Sequence, residues 1–159
     1  MSVKRIKVRP VFKKEEKKYR DLMQKHHYLG FVPKIGETIW YVATINKEWV
    51  SLLGFSVSAL KCKARDQWIG WSYRYQYDRL KLIVNNNRFL ILPGWHIYNL
   101  ASRTITMCLK RLADDWATFF GHKIVLVETF VDPDRYLGTV YKASNWLYIG
   151  DTKGFRRKD

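Results

Sequence analysis

Glu128, Asp66 and His27 are the side chains of this sequence whose type and surroundings fit acid–base chemistry. Glu128 lies within Ile124-Val-Leu-Val-Glu-Thr-Phe-Val131, on the strand face shared by Ile124, Leu126 and Phe130. A carboxylate among apolar neighbours must be paired or have its pKa raised, and a raised pKa is what a general base near neutral pH needs. The structural alternative is an ion pair, with Arg88 on the neighbouring strand as the candidate partner. Asp66 stands between Arg65 and Trp71 in a stretch otherwise free of carboxylates, and fits an acid, a metal ligand or a loop cap equally well. His27 follows His26 at the end of a helical segment. Adjacent helical residues point about 100° apart, so the two cannot chelate one metal as an i, i+4 pair can. A contact with the negative end of that helix is the plainer role for His27. Any metal held by His27, Asp66 and Glu128 together would need to accept oxygen and imidazole ligands, but no spacing in the sequence defines a metal site. Cys62 and Cys108 lack partners at zinc-ligand spacing and point to a reducing compartment.

The second chemistry is recognition of a polyanion. The 159 residues carry a net charge of +15, with seven Trp, ten Tyr and eight Phe. Nucleic acid is the commonest polyanion met by a small basic domain, and an anionic membrane surface is the main rival. Between Arg65 and Arg79 the chain interleaves Arg65, Arg74 and Arg79 with Trp68, Trp71, Tyr73, Tyr75 and Tyr77. Rings and guanidinium groups side by side suit stacking on unpaired bases with phosphates clamped alongside, although some of these rings must serve the core. Arg88, Lys13 and Lys17 complete the candidate contacts. The lysines belong to an amphipathic segment, Phe12 to His27, whose basic side is either a solvated face or a ridge that touches phosphates. No stretch reaches the length of a signal-peptide core or a membrane span, so the expectation is a cytoplasmic protein with no membrane partner.

The elements that position these groups follow from periodicity. In the segment from Asn99 to Phe120, residues Ala101, Ile105, Cys108, Leu109, Leu112, Trp116 and Phe119 recur at steps of three and four, the apolar stripe of a long helix. Asn99 or Ser102 can cap its start, and Gly121 sits where a left-handed residue commonly ends a helix. With strands expected at 88–93 and 124–131, the helix is a crossover between parallel neighbours. Upstream, residues 39–45 and 49–57 read as a hairpin about Asn46-Lys47-Glu48, and Gly54 inside it marks a bulge, a close approach or a packing glycine. Residues 61–71 read as a polar connection and 72–78 as a helical turn. Residues 80–84 and 88–92 read as two strands about Asn85-Asn86-Asn87. Asp132-Pro133-Asp134 has the form of a helix start, with Tyr136, Val140 and Tyr141 facing inward, and the helix should run to Ser144. A last strand is expected at 146–149. The chain reads as one α/β domain with a mixed sheet, a crossover helix and flanking helices, and with loosely attached termini at 1–11 and 152–159.

This element order resembles the acetyltransferase fold of the GNAT superfamily. More specific are His27-Tyr-Leu-Gly30, Ala64-Arg-Asp66 with Ile69-Gly-Trp71, Asn86-Asn-Arg-Phe-Leu-Ile-Leu-Pro93, Asn99-Leu-Ala-Ser102, Glu128-Thr-Phe-Val-Asp132 and Gly138-Thr-Val-Tyr-Lys-Ala-Ser-Asn-Trp146. In this order, over roughly residues 22–155, they resemble the DruA family, named for a component of the Druantia anti-phage system; similar domains accompany transposases. The resemblance implies phage defence or mobile DNA as the setting, with other defence or transposase proteins as partners. Acetyltransferases of this fold cradle the acetyl-CoA pyrophosphate on a glycine-rich turn at the start of the crossover helix. Here Tyr98-Asn-Leu-Ala-Ser102 occupies that place, with no glycine nearer than Gly94. Asn99 and Ser102 are then the candidates to hold the phosphate of acetyl-CoA or of another donor. The resulting expectation is a DNA-binding domain that performs group transfer or other base-directed chemistry. The competing readings are a binding module that has lost the donor site and a conventional acyltransferase acting on a small amine or protein.

If the Trp68 to Tyr77 segment stacks on bases, Trp71→Ala should lose about 1 to 3 kcal/mol of single-strand affinity with the fold intact. Fluorescence anisotropy with a labelled oligonucleotide and a melting curve together decide the matter. A lower melting temperature with unchanged affinity assigns Trp71 to the core.

Overall fold

Alternating apolar residues on both faces of one hairpin dictate a sheet covered on two sides. In the computed structural model, which describes residues 5–58, 63–70, 80–131, 139–144, 146, 147 and 149, strands β2 (Thr38–Ile45) and β3 (Glu48–Val57) pair antiparallel. Asn46 and Lys47, at φ 51° and 68°, close the hairpin in the left-handed conformation that matches strand twist. Ile39, Tyr41, Leu53 and Phe55 point to one face, and Trp40, Val42 and Leu52 to the other.

Each face has its own helix. α3 (Leu100–Phe120) lays Ile105, Cys108, Leu112 and Trp116 against the first set. α1 (Glu16–His26), preceded by a 3-10 turn at Lys13–Glu15, lays Tyr19 and Met23 against the second. Tyr19 stacks on Trp40 at 4.4 Å and donates to the Leu53 carbonyl at 2.8 Å, so its buried hydroxyl is satisfied. Gly121, at φ 75°, ends α3 as expected, its N–H on the Ala117 carbonyl.

The sheet runs β1-β2-β3-β4-β5. β1 (Lys7–Pro10) pairs antiparallel with β2, and β4 (Ile83–Ile91) pairs antiparallel with β3. β5 (Leu126–Glu128), reached through α3, lies parallel to β4. Helix α2 (Lys63–Ile69) precedes β4, and α4 (Thr139–Ala143) follows β5. No helix among the described residues is long and apolar enough to cross a membrane.

Several local expectations give way. Asn85-Asn86-Asn87 is no turn: β4 runs through it as one strand with a bulge. The stretch 61–71 holds α2 rather than a plain connection, because Arg65 is drawn inward to a carboxylate. The strand expected at 124–131 pairs only over Leu126–Glu128, since the Thr129 hydroxyl takes the Asn86 carbonyl. Trp146 donates its N–H back to the Tyr141 carbonyl, and the described residues of 146–149 form no strand. The turn expected at 72–78 and the helix start at Asp132-Pro133-Asp134 lie outside the described residues.

Gly54 is the residue on which the bulge depends most. A Cβ there would lie 2.8 Å from Asn87 Oδ1 and 3.2 Å from Tyr19 Oη. Gly54→Ala should therefore destabilise the fold by about 1 to 3 kcal/mol, the usual cost of overpacking. Urea denaturation checks this through a lower midpoint at unchanged m-value.

Candidate functional site

The irregularity in β4 organises the site. Gly54 pairs with Arg88 and Phe55 with Asn86, which leaves Asn87 as the extra residue. The Asn86 amide holds the distortion, with Nδ2 donating to the carbonyls of Gly54 (2.9 Å) and Arg88 (3.0 Å). Its Oδ1 accepts from the Tyr141 hydroxyl at 3.1 Å, and its backbone carbonyl from Thr129 Oγ1 at 2.9 Å. Asn87 Nδ2 donates to Ser56 Oγ at 3.0 Å. β5 ends at Glu128, opposite Asn85, whereas β4 continues to Ile91. Beyond Asn85 the two strands part, and the β5 side of β4 has no strand neighbour among the described residues.

Glu128 stands where pairing stops. Val127 faces α3, so alternation sends Glu128 to the opposite face. There Arg65 Nη1 donates to both carboxylate oxygens at 3.1 Å, and Ser58 Oγ donates to Oε1 at 2.7 Å. The Arg65 side chain is 1% exposed and that of Glu128 10%. The ion-pair alternative thus has a partner, and it is Arg65 rather than Arg88. Arg65 is buried and cannot serve as a surface phosphate contact. A guanidinium this deep needs a carboxylate to offset the loss of water around it.

The other expected site residues fall into separate places. His27 closes α1, its N–H on the Met23 carbonyl and its Nδ1 accepting from Leu29 N–H at 3.1 Å. Burial first, then the nearby Arg88 charge, lowers its pKa to about 4. It is a neutral imidazole, unlike the cation that a helix-dipole contact would favour. Arg88 is half-buried, its Nε on the Gly30 carbonyl (2.8 Å) and Nη1 on the Asn87 carbonyl (2.7 Å). Asn85, the pairing partner of Glu128, lies three positions from Arg88, roughly 10 Å along the strand. The described contacts do not join His27 to Glu128. The Asp66 side chain, Trp71, Tyr73, Arg74 and Arg79 lie outside the described residues. Trp68 is 54% exposed, and Lys13 and Lys17 are exposed on the outer side of the α1 segment. No group of three or more potential metal ligands occurs among the described residues.

At the start of α3, Asn99 is exposed and left-handed (φ 64°), and its side chain makes no capping bond. Ser102 Oγ turns to the Asn99 carbonyl at 3.4 Å. Asparagine takes the left-handed conformation more readily than most residues, so the turn forms without glycine. The first N–H groups of α3 are left without a side-chain cap, which fits an anionic group at that end.

Solved structures similar to this chain include aminoglycoside acetyltransferases of the GNAT fold. An aminoglycoside acetyltransferase from an uncultured soil metagenomic sample, solved with sisomicin, matches at TM-score 0.66 and 12% identity over 98% of this chain and 97% of that one. AAC(6')-Iy, solved with the bisubstrate analog CoA-S-monomethyl-acetylneamine, matches at TM-score 0.64 and 12% identity over 97% and 99%. A transcriptional regulator from Bacillus halodurans C-125 matches at TM-score 0.62 and 9% identity over 95% and 99%. The chain thus has the GNAT fold. A search of curated proteins gave no match. The family model described as Druantia protein DruA matches residues 2–158, and this chain belongs to the DruA family.

Removing the Glu128 charge takes from a buried arginine the carboxylate that it grips. Glu128→Gln should lower stability by about 3 to 5 kcal/mol, and an Arg65→Met change made together with it should recover much of that loss. Denaturant curves of the single and double variants measure the coupling.

Proposed function

We propose that this chain is a nucleic-acid-binding domain of GNAT-like fold, with DNA as its target, that works in phage defence beside other defence-system or transposase proteins. The observation that carries this reading is the exposed row of Lys13, Lys14, Lys17, Lys18 and Lys25 along α1 and the turn before it, on a chain of net charge +15. The carboxylates Glu15, Glu16, Glu37, Asp115 and Glu128 are each engaged by a basic side chain of the protein itself. Among the described residues Lys13, Lys14, Lys17 and Lys25 form no ion pair. Their charge is available to phosphates. DruA membership supports the defence setting.

A second reading, group transfer onto DNA, draws on the parting of β4 from β5 and on the left-handed Asn99 before α3. The likeness to AAC(6')-Iy, solved with a CoA-based analog, supports a phosphate-bearing donor such as acetyl-CoA there, with Asn99 and Ser102 beside its phosphate. Such a donor supplies the group to be transferred. In this reading Glu128 positions structure through Arg65, and a general base must come from elsewhere in the chain.

Affinity for a DNA fragment should fall at least about tenfold between about 50 and 200 mM salt, as expected when two or more phosphates are contacted. Changing Lys13 and Lys17 together to Gln should reduce the log–log salt slope by about 2. A salt-independent affinity, or no binding at low salt, would overturn the reading.

A further inference from the structure

Arg88 is a half-buried cation that meets no anion among the described residues. Arg9, Arg65 and Arg111 each grip a carboxylate, on Glu15, Glu128 and Asp115. Arg88 has only the neutral carbonyls of Gly30 and Asn87, and its Nη2 has no partner among the described residues. Burial lowers its pKa, as expected of a charge taken from water with incomplete compensation. The two carbonyls fix the guanidinium plane without neutralising it. They leave one edge of a charged, planar donor to be met by something else.

The turn after α1, whose Gly30 carbonyl accepts from Arg88 Nε, supplies a second donor. With Nδ1 of His27 accepting from Leu29 N–H, the proton of the neutral ring is on Nε2. The turn is rigid: Gly30 N–H bonds the His27 carbonyl at 2.8 Å, and Gln24 Oε1 accepts from Phe31 N–H at 3.1 Å. Gly30 is left-handed at φ 68°, the conformation that turns the chain back onto α1. Tyr28, 41% exposed, stacks on the His27 ring at 4.8 Å.

We infer that Arg88 Nη2 and His27 Nε2 form a recognition point for a single phosphate group, carried either by a nucleic-acid backbone or by a nucleotide. The backbone source rests on the nucleic-acid reading above and narrows it to one contact at the β4 bulge. Two preset donors, one of them charged, suit the oxygens of a tetrahedral anion, and its charge completes the compensation that Arg88 lacks.

The test follows the His27 ring and the Arg88 Nε–H signals of the whole chain by NMR at pH 7 during additions of inorganic phosphate, ADP and a single-stranded thymidine oligonucleotide. Saturable shifts of both signals are expected with at least one probe. The oligonucleotide acting at the lowest concentration identifies backbone phosphate; ADP doing so identifies a nucleotide. Arg88→Gln should weaken the effective probe about 10- to 100-fold, as for loss of a charge-assisted bond. His27→Phe keeps the ring on Tyr28 and removes Nε2–H. It should weaken the probe about 3- to 10-fold, and it keeps the test decisive if Arg88→Gln does not fold. Unmoved His27 and Arg88 signals with all probes, or wild-type affinity in both variants, would overturn the inference. Salt-dependent DNA binding without those shifts leaves the nucleic-acid reading standing while the phosphate site fails. Shifts with ADP in a chain that does not bind DNA do the reverse.

Discussion

The Asn86 side chain is the constraint on which the functional end of the sheet depends. One amide bridges the Gly54 and Arg88 carbonyls across the extra residue Asn87 and also receives the Tyr141 hydroxyl. β3, β4 and α4 are tied at a single point, and Thr129 adds the chain after β5 through the backbone carbonyl. A strand without this clasp would slip by one residue, and every side chain beyond it would change face. With it, Asn87 and Arg88 both point away from α3, Phe89 returns to the α3 side, and β4 parts from β5. The direction of Arg88 and the parting of β4 from β5 therefore share one cause.

The buried pair of Arg65 and Glu128 acts on the same region from the other side. Two charges removed from water gain little net stability, because desolvation offsets most of their attraction. What they contribute is specificity of placement. Arg65 brings α2 to the end of β5, and Ser58 joins the end of β3 to the same carboxylate. The pair marks where β5 stops. The carboxylate singled out in the sequence thus ties together the strands around the candidate site.

Periodic elements were legible in the sequence, and irregular ones were not. The stripe of Ile105, Cys108, Leu112 and Trp116 forced a buried face, and Gly121 marked its end, so α3 was defined nearly to the residue. The hairpin was equally clear. The run Asn85-Asn86-Asn87 misled because asparagine favours turns, whereas here the Asn86 amide satisfies two backbone carbonyls inside a strand. A readable signal existed: residues disfavoured in strands, between apolar strand segments and opposite a strand glycine, mark a bulge. The choice of Arg65 over Arg88 as partner of Glu128 had no local signal, since it depends on where α2 folds back. Of the candidate phosphate contacts, the lysines of α1 were found by amphipathicity alone. The approach of Arg88 to the Gly30 carbonyl was not, because it joins a turn to a strand more than fifty residues away in sequence.

The outer border of the sheet carries a consequence of its own. β1 is short, presents Lys7 and Arg9 and ends in Pro10, while Arg111 from α3 donates to its Val8 carbonyl at 2.6 Å. Proline removes one ladder donor, and Arg111 occupies a carbonyl that an incoming strand would seek. Two copies aligned along this border would also bring like charges together. A chain rich in β-branched and aromatic residues is in this way kept from growing ordered aggregates by adding strands along β1.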